Sequence, residues 1–175
     1  MAKFQIQSAS STVNWTGKKV LGLHTGSINV ESGFLELTDH LITNGEIKID
    51  MASIAVTDIE DIKTHHEFLA HLQSEDFFSV DRFKTATLVI TGSRQIENSN
   101  FSISGNLTIK DITNPISFNA KIEVFTDYLH SMGEIVIDRT AYNIRYGSGK
   151  FIDNLGDKLI YDDFVLQFKL IGKIS

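Results

Sequence analysis

The sequence predicts an all-β protein with one short helix, its antiparallel sheet rolled into a barrel of about eight strands. Three observations carry that prediction. From Asn100 to Phe125 two alternating arms flank a turn: apolar residues fall at odd positions in Phe101, Ile103, Leu107 and Ile109, then at even positions in Ile116, Phe118, Ala120, Ile122 and Val124. Alternation of this kind marks strands with one wet face, and the break from Lys110 to Pro115 is far shorter than the crossover of about a dozen residues that a parallel pair needs. Helical spacing, by contrast, appears in one stretch only. Finally, the alternation slips phase at Ala52 and Ser53 inside a strand-like run, as at a bulge or corner where a sheet closes on itself.

Taken in order, Lys3 to Gln7 and Thr12 to Trp15 read as short strands separated by Ser8-Ala9-Ser10-Ser11. Gly17 with Lys18 and Lys19 is read as a turn before Val20. Val20 to Val30 is interrupted by Gly22 and Gly26, which suit a curved strand. Gly33 opens the strand Phe34 to Thr38, and Asn44-Gly45 is expected to close the connection because both residues tolerate positive φ. Glu46 to Val56 follows, with the phase slip inside it. Thr57 or Asp58 is expected to cap the helix, whose apolar stripe is Ile59, Ile62, Leu69 and Leu72, with His66 and Phe68 close by, and which ends near Gln73. Asp76 to Phe83 is too aromatic for a solvated loop and is expected to tuck against the barrel mouth. Thr85 to Thr91, the central pair, Met132 to Thr140 and Asp163 to Ile174 complete the strands.

Composition narrows the function. At 175 residues the chain suits a single domain, 1–175, and its net charge of -6 argues against a nucleic-acid partner. Cysteine is absent, which removes disulfides, thiolate metal sites and a cysteine nucleophile. No apolar run reaches the roughly 20 residues of a membrane-spanning helix, so no stable membrane insertion is expected. The N-terminus also lacks the apolar core of roughly 7 to 15 residues that a secretory signal needs. The chain as written therefore reads as cytoplasmic, while a leader removed beforehand would leave the same appearance and a periplasmic role.

Chemistry is sparse. His65, His66 and His71 lie on the helix without the i, i+4 spacing of a zinc pair, and neither a metal nor another cofactor is expected. His24 and His40 read as ordinary polar residues. Tyr146-Gly147-Ser148-Gly149-Lys150 lacks the spacing of a phosphate loop and reads as a glycine-rich connection. Twelve phenylalanines against one tryptophan are the compositional oddity. They fill a core, or they line a cavity for an apolar ligand, since barrels of about eight strands can enclose one small molecule.

Several segments in order resemble the YceI-like family: Asn14-Trp15 through His24-x-Gly26, Gly33, Gly45 to Asp50, His71-Leu72-Gln73-Ser74-Glu75-Asp76-Phe77-Phe78, Gly105-Asn106-Leu107-Thr108-Ile109 before Thr113-Asn114-Pro115, and Arg139 with Tyr142. The chain departs from the family pattern in its missing leader, in Ile112 after Asp111, and in Asn143 where glycine is usual. The resemblance implies a lipocalin-like extended barrel that holds a long-chain isoprenoid or fatty ligand, and a possible homodimer. On this reading Trp15, Phe68, Leu72, Phe77, Phe78, Phe83, Phe101 and Phe168 form the wall, and His24, Arg139 and Tyr142 the polar end. The rivals are an enzyme using the barrel as its vessel, which would show a cavity acid or base of displaced pKa, and an interaction module, which would have a filled interior.

Overall fold

The computed structural model describes Met1 to Ser175. Nine strands form one antiparallel sheet: β1 Ala2–Ile6, β2 Thr12–Lys19, β3 Gly22–Thr38, β4 Leu41–Val56, β5 Thr85–Glu97, β6 Asn100–Ile109, β7 Ile112–Val124, β8 Tyr128–Asp138 and β9 Ile160–Ile174. The single helix, α1, spans Ile62–Gln73. Neighbours run β1-β3-β2-β9-β8-β7-β6-β5-β4, and β3 also pairs with β4, so the sheet closes. β1 and β2 share one stave, because both lie between β3 and β9: Phe4 faces Leu35 and Ile174, and Val13 faces Ile28 and Phe168. A short 3-10 turn, Ser8–Ser10, lets the chain step out between them. The barrel thus has eight staves built from nine strands.

The phase slips are bulges within long strands. β3 runs unbroken through Gly33, where the sequence suggests two strands, because a bulge between Val30 and Ser32 moves the inward set from Ile28 and Val30 to Leu35 and Leu37. On β4 the expected irregularity at Ala52 and Ser53 is present: Ser27 pairs with Ala55 but Asn29 with Asp50. Ser53 stabilises that bulge, its hydroxyl accepting from the Asn29 amide at 2.8 Å and donating to the Asp50 carbonyl at 2.6 Å. Each bulge keeps apolar residues facing inward on both of its sides, which is how a strand of 16 or 17 residues can bend around a barrel.

Several turns differ from their expected places. The β3–β4 hairpin turns at Asp39-His40, both left-handed (φ 51° and 67°), as the favoured two-residue hairpin turns require. Asn44-Gly45 lies inside β4, where a side chain on Gly45 would press within 2.8 Å of Leu35; its glycine serves close packing, not a turn. Gly17, Lys18 and Lys19 are in β2, and Val20-Leu21 is the turn. Lys110 and Asp111 (φ 54° and 61°) form the β6–β7 turn, so β7 begins at Ile112 and contains Pro115. Proline is tolerated there because β8 pairs only with Ala120 to Val124, leaving that part of β7 with an open side.

Asp61, not Thr57 or Asp58, caps α1, accepting from the Thr64 amide at 2.9 Å and its hydroxyl at 2.7 Å. These bonds, the hydroxyl's first, hold its carboxyl below the usual range. Thr57 is engaged by β3 through its amide, and Asp58 by His24. The helix turns His65, Phe68, Leu69 and Leu72 toward the barrel while Ile62 and His66 stay in solvent. His65 Nε2 lies 3.0 Å from the Val56 carbonyl and fixes the helix to the end of β4.

Candidate functional site

The inward rows of β2, β4, β6 and β9 and the apolar face of α1 enclose a cavity of 360 Å³ at the helix end of the barrel. Nineteen of its 26 lining residues are hydrophobic. A narrower hollow of 90 Å³ lies toward the far end and shares Val13, Ile49, Leu107, Ile137 and Leu166 with the first, so these five stand at the boundary, or neck, between the two. Beyond it Phe4 and Leu129 are fully buried and plug the barrel. The interior is therefore open at one end and nearly solid at the other. The side chains of Phe164 and Leu166 point inward yet are only half-buried, because they border empty space.

Trp15 and α1 shape the mouth. The Trp15 indole lies across Gly26 and donates to the Ala55 carbonyl at 3.1 Å. Phe68 packs between Trp15 (6.5 Å between ring centroids) and His24 (4.7 Å). His24 Nδ1 lies 3.1 Å from Asp58 Oδ2. A Cβ on Gly26 would come within 1.9 Å of the Ala55 carbonyl and 2.4 Å of the indole, so even alanine must displace backbone or ring. Gly26→Ala is expected to destabilise the fold by about 2 to 3 kcal/mol and to shift tryptophan fluorescence, as chemical denaturation and emission spectra would show.

Across the mouth, the segment after Phe77 and the connection from Asp138 to β9 form the opposite wall. His71 stands edge-on to Tyr146 (4.5 Å) and Phe77 (4.9 Å), with its Nε2 3.0 Å from Asp76 Oδ2. Phe78 packs edge-on against Phe164 at 6.3 Å. The aromatic linker is thus tucked against the barrel mouth, as its composition suggests. Lys18, Lys19, Tyr161 and Asp163 complete the polar part of the lining.

Arg139 organises this wall. Although it is 4% exposed, it pairs with no side chain; Nε donates to the Tyr161 carbonyl (3.0 Å), Nη1 to that of Ile144 (2.9 Å) and Nη2 to that of Ile160 (3.0 Å). It is a buried cation that closes the ends of an irregular loop by bonding three main-chain carbonyls. Burial lowers its pKa while Asp162 and Asp138 oppose that shift, and an arginine stays charged throughout. Its guanidinium also lies 5.8 Å from the Phe77 ring centroid, on the cavity side. Ser148 is fully buried and donates to Asp162 at 2.6 Å, and Lys150 reaches Asp138 at 3.2 Å, so the glycine-rich segment is stapled to its own neighbours. Asn143 adopts φ 59°, filling the left-handed position where the family pattern has glycine.

Of the residues assigned to the wall and polar end, Trp15, His24, Phe68, Leu72, Phe77, Phe78 and Arg139 line the cavity. Four do not. Phe83 lies outside with Arg82 over its ring at 5.1 Å, and Phe101 is buried in the core near the start of β6. Phe168 borders the narrow hollow, edge-on to Phe118 at 5.8 Å. Tyr142 is buried away from the cavity and its hydroxyl makes no well-formed hydrogen bond; burial pushes the phenol's pKa up, opposed only by a weak approach of Asn114, whose amide is committed to the Ala141 carbonyl at 2.9 Å. Tyr142→Phe is accordingly expected to keep ligand binding intact and to be neutral or stabilising by up to about 1 kcal/mol in a urea titration. The residues not anticipated are the neck, with Leu107 and Leu166 in it, and His71, Tyr146, Lys18 and Lys19 at the mouth.

Comparison with known proteins agrees with this geometry. The model of the YceI-like domain matches residues 4–171. A UPF0312 protein of Shewanella baltica is 29% identical over 82 residues, 47% of this chain and 38% of its own length, and Protein YceI of Salmonella arizonae is 36% identical over 58 residues, 33% and 30%. The chain thus matches well under half the length of these curated relatives. Among solved structures, BcnA of Burkholderia cenocepacia superposes with a TM-score of 0.75 at 18% identity, covering 95% of this chain and 98% of that one. A polyisoprenoid-binding domain from Saccharophagus degradans, implicated in plant cell wall breakdown, gives 0.74 at 13% identity with both chains fully covered. With its closed barrel, its apolar cavity and a family match over nearly all its length, this chain belongs to the YceI-like family.

Proposed function

We propose that the protein binds one long-chain amphiphilic lipid, an isoprenoid or fatty derivative, without covalent attachment, its tail in the barrel and its polar head at the mouth. The observation that carries this reading is the 360 Å³ hollow, walled mainly by aliphatic and aromatic side chains and fringed by Lys18, Lys19, His24, His71 and Arg139. Its volume falls within the range of about 300 to 1,000 Å³ typical of small-molecule sites. Each methylene transferred from water into such a wall contributes about 0.8 kcal/mol, so a tail of several isoprene units needs no directed bond to be held. Head-group preference then rests on the few polar groups at the rim. The polyisoprenoid-binding description of the Saccharophagus degradans neighbour supports the same ligand class. An interaction module with a filled interior is a poorer fit, because the helix end is hollow.

Titration of the purified protein with a fluorescent prenyl or fatty-acyl probe tests the proposal. Saturation at one probe per chain is expected, with competition that strengthens as the competitor's tail lengthens. Absence of saturable uptake for both tail types would sink it.

A further inference from the structure

A barrel that takes a lipid tail from a bilayer has to bring its opening against that bilayer, so the surroundings of the mouth report on the source of the ligand. The two-residue hairpin tips Asp39-His40, Asn98-Ser99 and Lys110-Asp111 are polar, as solvated turns are. The β2–β3 tip is Val20-Leu21. Val20 is 47% exposed, Leu21 70% and the following Leu23 51%. Nothing in the fold packs on these aliphatic side chains strongly enough to account for their place at a turn.

The tip itself is cationic and lies at the cavity opening, while the acids near it, Asp58 and Asp163, belong to other segments, Asp58 being held by His24. Lys18 and Lys19 precede the tip, line the mouth and take part in none of the ion pairs. No Asp or Glu occurs from Gly17 to Val30, although the whole chain carries a net charge of -6. The Val20 amide donates to the Leu159 carbonyl at 3.2 Å, joining the tip to the connection that holds exposed Tyr146, Phe151 and Ile152. There Arg145 lies over the Phe151 ring at 4.4 Å. Aliphatic and aromatic tips beside lysine and arginine are the combination that partitions into the interface of an anionic membrane.

We propose that the β2–β3 tip docks the open end of the barrel onto an anionic phospholipid surface, with Val20 and Leu21 entering the head-group layer and Lys18 and Lys19 meeting the phosphates. This inference rests on the lipid-binding reading of the cavity, and its test separates the two. Co-sedimentation with vesicles of equal parts phosphatidylcholine and phosphatidylglycerol should capture the protein, vesicles of phosphatidylcholine alone should capture much less, and added salt should release it. Leu21→Asp is expected to weaken capture by about tenfold or more, since it replaces the leucine that enters the head-group layer by a charge. Reversing both lysines (Lys18→Glu with Lys19→Glu) should weaken it by about 600-fold, at roughly fivefold for each charge lost and again for each repulsion gained. Leu21 lies outside the cavity lining, so Leu21→Asp should bind a soluble prenyl probe as tightly as the unmodified chain while drawing it from vesicles more slowly. Capture equal for the unmodified chain and both variants, or no capture on the anionic vesicles, would overturn the docking site. Failure of probe uptake with capture intact would remove the cavity reading and leave the docking surface standing.

Discussion

Leu166→Trp is expected to cut affinity for a long-chain probe on the order of 100-fold while sparing a probe whose tail ends above the neck. Leu166 sits on β9 opposite Trp15 and belongs to both hollows. An indole there fills the boundary between the wide cavity and the narrow one, so the last part of a tail that crosses it stays in water. Losing about four methylenes from the apolar wall costs about 3 kcal/mol, which converts to the stated factor. Because Leu166 is half-buried beside empty space, the larger ring has room, and the melting temperature should fall by only a few degrees. Titrations with probes of graded length would check this. Equal losses for short and long probes would mean that the ligand does not pass the neck.

Arg139→Met should have the largest effect on stability among single changes at the site. Methionine fills much of the volume but leaves the carbonyls of Ile144, Ile160 and Tyr161 without their donors. A buried polar group stripped of its partner costs about 1 to 3 kcal/mol, so the three carbonyls, partly rescued by water, imply about 3 to 5 kcal/mol. The loss should appear as a lower urea midpoint and as faster amide exchange between Asn143 and Leu159, the segment that these bonds close. Arg139→Lys keeps the charge but not the three-pronged geometry and should recover only part of the difference. A change below about 1 kcal/mol for Arg139→Met would mean that the guanidinium does not hold the loop.

Much of the fold was legible because period-two alternation reports which face of a strand is wet. Phe164, Leu166 and Phe168 alternate with polar or smaller residues along one strand, and all three point inward. The same signal is silent on height along the barrel axis. Phe101 and Trp15 are both buried, inward-facing aromatics, yet one is packed in the core and the other walls the hollow. Glycine misled for a related reason: Gly45 allows close approach of Leu35, whereas the true turn uses Asp39 and His40, which tolerate positive φ but lack the glycine that marks hairpin turns most strongly. The helix cap was misplaced among closely spaced acids because only the three-dimensional path shows that Asp58 is taken by His24. The mouth residues His71 and Tyr146 come together from segments far apart in the chain, and no local pattern could announce their contact.

On the proposed function, the barrel's hollow end holds a lipid tail. Native mass spectrometry of unheated protein, purified from the host without added detergent, tests it most directly. The expected spectrum shows the 19.6 kDa chain carrying one additional mass that is released on denaturation and recovered in an organic extract as a single long-chain molecule. A spectrum of bare chain alone, from protein that also leaves prenyl and fatty probes unbound, would contradict it.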